Sequence, residues 1–298
     1  MKQRIKAFKK NRAAYLFIVP VTLCVIIFLL YPILKAAAMS FQYWYLPKPK
    51  ASGHAFVGFE NYRAVLTNKY FKNTIFITIT FTIVTVAARY VIGLVSALIM
   101  NCAFKGRGVA RAMIIIPWAM PQVVACLIWT LMYDSQYGIV NYLMQQSHLI
   151  SENIAFIDNP ETALVSAMVV TIWKGFPFAA IMLLAGLQGI SSDQYEACRV
   201  DGAHALQTFW YITLPGLKPV SVVTFLLLVM WTLKDFAIVY ALSYGGPMRS
   251  TEIITIFIYN TAFKNFDFGM ASAAGMIMLV FSLLFTFFYL RALKMEDA

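Results

Sequence analysis

Six apolar runs, each long enough to cross a bilayer, dominate this 298-residue chain. They fall at about 13–35, 73–100, 112–133, 163–187, 220–242 and 271–293. A helix of about 20 apolar residues crosses the ~30 Å of hydrocarbon, where every backbone polar group must be satisfied internally. Only 12% of the residues are charged and 61% are apolar, roughly half the charge of a soluble domain. A soluble enzyme would need a charged skin that this chain cannot supply. The expected fold is an all-α membrane protein with six transmembrane helices in one membrane domain spanning 1–298. The stretch 253–263 (IITIFIYNTAF) is apolar but short. It reads as an interfacial or re-entrant piece, because so short a run seldom spans.

Net charge is +11, a value that nucleic-acid binders also show, but its layout is a topology signal. Lys2, Arg4, Lys6, Lys9, Lys10 and Arg12 all precede the first run. With that end inside, the inner segments (1–12, 101–111, 189–218, 291–298) hold 13 Lys and Arg, whereas the longer outer segments (39–72, 134–161, 241–268) hold 7. Both termini are therefore expected in the cytoplasm, with the basic start against anionic lipid headgroups. A basic start, an apolar run and Ala36-Ala37-Ala38 also imitate a cleaved signal peptide. The run exceeds the 7–15 residues of a signal core, so an uncleaved anchor is expected.

No covalent chemistry is legible. Cys24, Cys102, Cys126 and Cys198 form no CxxC pair, and His54, His148 and His204 stand at no metal-ligand spacing. No GxxxxGK[ST] loop occurs, so neither a metal nor a nucleotide is expected on this chain.

The inner loop 189–218 is longer than a connector requires. Its pattern gives a short helix over 192–200, a turn at Gly202 and a second helix to about 211, with Glu196 and Arg199 on one face. Gly202 supplies a left-handed turn, and Leu214-Pro215 is expected to start the next span. This is a compact helical knob suited to a groove on another protein.

The loop resembles the cytoplasmic signature of ABC importer permeases: EAA, three residues, G, nine residues, I, one residue, LP. Glu196, Ala197, Gly202, Ile212, Leu214 and Pro215 stand at that spacing, and the one departure is Cys198 for the second Ala. Further segments are similar to the sugar branch, which holds the maltose, lactose and glycerol-3-phosphate permease subunits. They are 56–62 (FVGFENY), 105–108 (KGRG), 173–177 (WKGFP) and 245–247 (GGP). The resemblance implies a type I ABC importer permease of the bacterial inner membrane. Its implied partners are a second homologous permease, two ATPase subunits that carry ATP and Mg, and a periplasmic or lipid-anchored sugar-binding protein. It also implies that Glu196, Arg199 and their helix dock on the ATPase.

Charged groups inside spans are functional candidates by default, and here they are Arg89, Lys174, Lys234 and Asp235, whereas Lys35 can snorkel. Thr171, Lys174, Gly175 and Phe178 recur at helical spacing and share one face. That face reads either as a solute path or as helix packing around a Gly and Pro kink, with Lys174 reaching a carboxylate. The resemblance implies the former, since the maltose permease's sugar-contacting positions match these four together with Leu228, Thr232 and Asp235. The segment 233–240 (LKDFAIVY) departs from that branch's FKxFDxIY, because Ala237 replaces its Asp and Asp235 stands two residues earlier. A Lys174 that reads charge implies an anionic sugar, uronic, sulfonated or phosphorylated. Two alternatives are a non-sugar solute in the same importer class and a stand-alone secondary transporter.

Overall fold

A computed structural model describes residues 12–50 and 53–296, with side-chain surroundings for residues from 17 to 291. Lys2, Arg4, Lys6, Lys9 and Lys10 and the side chain of Arg12 lie outside the described residues. The architecture is helical throughout, with two isolated β-bridges in place of any sheet among the described residues. Among the described residues five helices are long and apolar enough to cross a membrane, and counting one bent pair as a single span makes six. The helices fall into two compact units, 1–68 with 258–280 and 69–257 with 281–298.

In the first unit, α1 runs over Arg12–Val25, a widened turn Ile26–Leu30, and Tyr31–Ser40. The N–H of Tyr31 bonds back five residues to Ile26, and Pro32 follows with no N–H to offer; this is the kind of local repair that proline provokes inside a helix. Its apolar side chains from Phe17 to Leu34 are exposed, as in a helix whose solvent is lipid. The outer segment 41–59 folds back through two short bonds, Tyr43 N–H to Ala55 O and Val57 N–H to Phe41 O, both 2.8 Å. The FVGFENY segment closes this turn and opens α2 (Glu60–Thr67). Asn61 Nδ2 donates to Ser40 O at 2.9 Å and Gln42 O at 2.8 Å, and Phe41, Phe56, Phe59 and Tyr62 form one aromatic cluster.

The second unit is built on α3 (Lys69–Asn101) and α7 (Ala163–Gln188). They approach so closely that a Cβ on Gly93 would stand 2.6 Å from Ala179 Cβ. Small residues permit this in membranes, where packing itself drives association. The core combines Phe81 of α3 with Ala167 and Val170 of α7 and with Ile238, Val239 and Ile256 farther along the chain.

Two spans depart from the expected continuous helices. The third is broken into α4 (Arg107–Ala119) and α5 (Gln122–Met132), bent by 94°. Pro121 explains the break: proline lacks an N–H and drives the preceding residue out of helix, and Met120 is extended at φ −67°, ψ 137°. Two short helices flank α7 in sequence, α6 (Ile139–Gln146) before it and α8 (Ser192–Val200) after it. The fifth span, α9, is helical from Ala205 through a widened turn Phe209–Thr213 to Leu233. It therefore starts before Leu214-Pro215, because the knob's second helix and the span are one rod. It also ends early: Lys234, Asp235 and Phe236 leave helical geometry before α10 (Ala237–Ser243). Residues of 253–263 fall mainly in a short helix, α11 (Ile254–Tyr259, widened over Asn260–Lys264). The last span is α12 (Phe268–Glu296).

Candidate functional site

Both helix breaks open onto one cavity of about 610 Å³ in the second unit. Three aromatic rings form its apolar wall. Phe178 stands 4.5 Å from Trp231 and 6.3 Å from Trp118, ring centre to ring centre, and both tryptophans are about half exposed. Lys174, Gly175, Leu228, Lys234 and Asp235 line it, joined by Arg89 and Gln122.

Arg89 organises one side. It is 6% exposed, and its fork donates from Nε (2.9 Å) and Nη2 (2.8 Å) to Thr171 O and from Nη1 to Thr232 Oγ1 (3.0 Å). One side chain of α3 thus ties α7 to α9. Gly175 makes this possible, since a Cβ there would lie 2.6 Å from Arg89 Cζ and closer still to Nε. Thr171 and Thr232 belong to this staple and do not line the cavity. Leu228 takes part as wall and as acceptor, its carbonyl receiving the Thr232 hydroxyl at 2.8 Å.

Lys174 does not reach a carboxylate by hydrogen bond or ion pair. Its Nζ donates to the carbonyls of Pro117 (3.2 Å), Trp118 (3.4 Å) and Met120 (2.6 Å), at the broken end of α4. Asp235 sits at the second break, its carboxylate facing the Arg89 guanidinium, the N–H groups of Ile238 and Phe236, and the Lys174 ammonium. An Asp beside the first turn of a helix satisfies N–H groups that have no helical partner. Lys234 is the exposed cation of the wall.

Sequence reasoning named Arg89 among the charged candidates inside spans without giving it a partner, and it missed Trp118, Trp231 and Gln122. Arg89 carried a signal, as a charge inside a span. The tryptophans carried none, because aromatic residues in apolar helices are common.

The inner knob is a separate surface. Ser191 caps α8 by accepting the Asp193 N–H at 3.3 Å. The helix closes with two reciprocal bonds, Ala203 N–H to Cys198 O and Gly202 N–H to Arg199 O, both 3.0 Å. This closure needs a left-handed residue, and Gly202 supplies it at φ +77°. His204 and Gln207 then form a reciprocal cap at the start of α9. Cys198 Sγ meets Thr208 Oγ1 at 3.6 Å and Tyr195 OH meets Thr213 Oγ1 at 3.3 Å, which binds the two helices together. The substitution of Cys for Ala is therefore used, as a contact inside the knob. Glu196, Ala197 and Arg199 are exposed, Ile212 and Leu214 are half-buried, and Pro215 is exposed. Val200, Leu206, Trp210 and Tyr211 add large exposed apolar side chains.

The family described as binding-protein-dependent transport system inner membrane component matches residues 89–292. The chain is 35% identical over 286 residues to a trehalose/maltose transport system permease protein of Thermococcus litoralis, covering 95% of this chain and 94% of that one. It is 34% identical over 284 residues to a sulfoquinovosyl glycerol transport system permease protein of Agrobacterium fabrum, covering 95% and 91%. A diacetylchitobiose uptake system permease protein of Streptomyces coelicolor is 30% identical over 289 residues, covering 96% and 88%. The fold matches a chain of a bacterial ABC transporter involved in the import of the acidic polysaccharide alginate, with a TM-score of 0.79, 22% identity, and coverage of 97% and 98%.

Proposed function

Because the chain belongs to the family of binding-protein-dependent transport system inner membrane components, we propose that it is the translocation subunit of an importer that carries a sugar or sugar derivative inward. The cavity between the two helix breaks is its share of the solute path. The single observation that carries this reading is the wall itself: three aromatic rings line one cavity together with hydrogen-bonding and charged groups. Sugars present apolar ring faces and a rim of hydroxyls, and a pocket that pairs aromatic faces with a few placed polar groups suits both. The relatives named for trehalose/maltose, sulfoquinovosyl glycerol and diacetylchitobiose uptake support a sugar as the solute.

The knob over 192–215 is the surface that meets an ATPase subunit, with Glu196 and Arg199 beside the apolar patch of Val200, Leu206, Trp210 and Tyr211. ATP and Mg stay on that partner. A second permease completes the path, and an external binding protein delivers the solute; a related structure was solved with a periplasmic protein bound to alginate pentasaccharide. Both termini and the knob face the cytoplasm, a reading supported by the excess of Lys and Arg on that side.

The test is co-purification of the assembled complex, followed by binding-protein-stimulated ATP hydrolysis across a panel of neutral and anionic sugars. Stimulation by one sugar class, reduced by Trp231→Ala, is the expected result. Failure to recruit any ATPase subunit removes the assignment.

A further inference from the structure

The break in the third span leaves a deficit of backbone hydrogen bonds that Lys174 makes good. In an unbroken helix the N–H of residue 121 would bond Pro117 O, and that of residue 122 would bond Trp118 O. Pro121 has no N–H, and the 94° bend carries α5 off the α4 axis. Carbonyls left bare at membrane depth are strongly unfavourable. The ammonium of Lys174 has three N–H donors and no acceptor, and it meets three carbonyls, those of Pro117, Trp118 and Met120. Its charge also lies at the C-terminal end of α4, where the helix dipole is negative. Lys174 is 7% exposed. One of its acceptors is the backbone of Trp118, whose ring belongs to the aromatic wall.

We propose that Lys174 is a positioning residue: its ammonium stands in for the missing proline N–H and thereby sets Trp118 in the cavity wall, and it does not read solute charge. The cap's chemistry stands on its own, whereas its importance for transport rests on the cavity being the solute path. This reading runs against the expectation that a lysine inside a span marks an anionic solute. All three donors are engaged by backbone, so a solute that took one would reopen the break.

The test is a double-mutant cycle between Lys174→Met and Pro121→Ala, in the full-length chain purified in lipid nanodiscs. Two readouts are taken, the thermal unfolding midpoint and the emission of Trp118, the latter as the difference between each variant and its Trp118→Phe counterpart. Lys174→Met is expected to lower the midpoint by a few degrees and to shift Trp118 emission. Lys174→Arg, which keeps several donors, should restore both. Pro121→Ala returns an N–H to the helix and should remove most of the Lys174→Met loss. Strictly additive effects, or unaltered Trp118 emission in Lys174→Met, would overturn the proposal. Where Lys174→Met does not accumulate, the double variant decides: its recovery supports the cap, and its failure overturns it. Neither readout needs transport, so a failed importer assignment, seen as no ATPase recruitment, is scored separately.

Discussion

Gly175→Ala is the smallest change that tests how the second unit is held together. The added Cβ would sit 2.6 Å from Arg89 Cζ, so the guanidinium must withdraw from Thr171 O. Two charge-assisted bonds, at 2.8 and 2.9 Å, are lost. Hydrogen bonds to charged groups contribute about 1.5–3 kcal/mol each in soluble proteins, but side-chain bonds in a membrane protein average about 0.6 and reach about 1.7 kcal/mol. Two such bonds therefore represent about 1–3 kcal/mol. Alanine returns up to about 1 kcal/mol through its better helix propensity. The net expectation is a loss of about 1–2 kcal/mol, with Arg89 turning toward the cavity. The assay is thermal or denaturant unfolding of the purified chain in a lipid nanodisc, run beside Arg89→Met and the double variant. A methionine at 89 has no guanidinium to hold against Thr171 O, and its free end can turn aside, so Gly175→Ala should then be neutral or stabilising. Equal stability of Gly175→Ala and the parent, with Arg89 present, would refute the staple. So would the same loss in the Arg89→Met background.

Two further outcomes follow from the surface. Gly202→Ala places a side chain at φ +77°, a left-handed geometry that disfavours L-residues by about 1–2 kcal/mol; the chain should remain in the membrane, while ATPase co-purification and uptake fall. Asp134, in the outer loop after α5, accepts the N–H groups of Tyr137 and Gln136 at 2.8 Å each, which hold its carboxylate below the ordinary range. A depressed acid stabilises the fold above its unfolded value and loses that contribution as pH falls through the folded value. Hydrogen exchange at Gln136 and Tyr137 should therefore lose protection at acid pH in the parent, and at all pH values in Asp134→Asn if the charge is what holds the turn.

Local features of this fold are written in the sequence, and long-range ones are not. The helix over Ser192–Val200 and the turn at Gly202 were legible because caps and a left-handed glycine act within a few residues. The broken third span was half legible. Pro117 and Pro121 stand in plain view, but an apolar run reads through proline when hydropathy is the signal, and membrane helices tolerate it. The break after Leu233 had only the sequence Lys-Asp to announce it. For the charged groups, sequence identified which residues were costly and could not say what answered them. Arg89 meets an acceptor on α7 and another on α9, and Lys174 meets a helix end that exists only because another proline bent it. No spacing rule links such partners. The assignment of Thr171 and Thr232 to the solute path shows the same gap: in the structure their oxygens accept from Arg89, a residue from elsewhere in the chain.

Arg89 also sets an order of events during synthesis. Its helix emerges with a bare guanidinium, an expense of roughly 2.5–3.5 kcal/mol at the centre of an inserting segment, while its acceptors are 82 and 143 residues downstream. At about 5–20 residues per second, α3 waits roughly 4–16 s for α7 and roughly 7–29 s for α9. Through that interval the nascent chain holds a half-made junction in the bilayer, dependent on the flanking apolar residues of α3 to keep it inserted. A ribosomal pause or a truncation between residues 101 and 163 would prolong that exposure, so the same arginine that binds the finished bundle is also its most vulnerable point while it is being made.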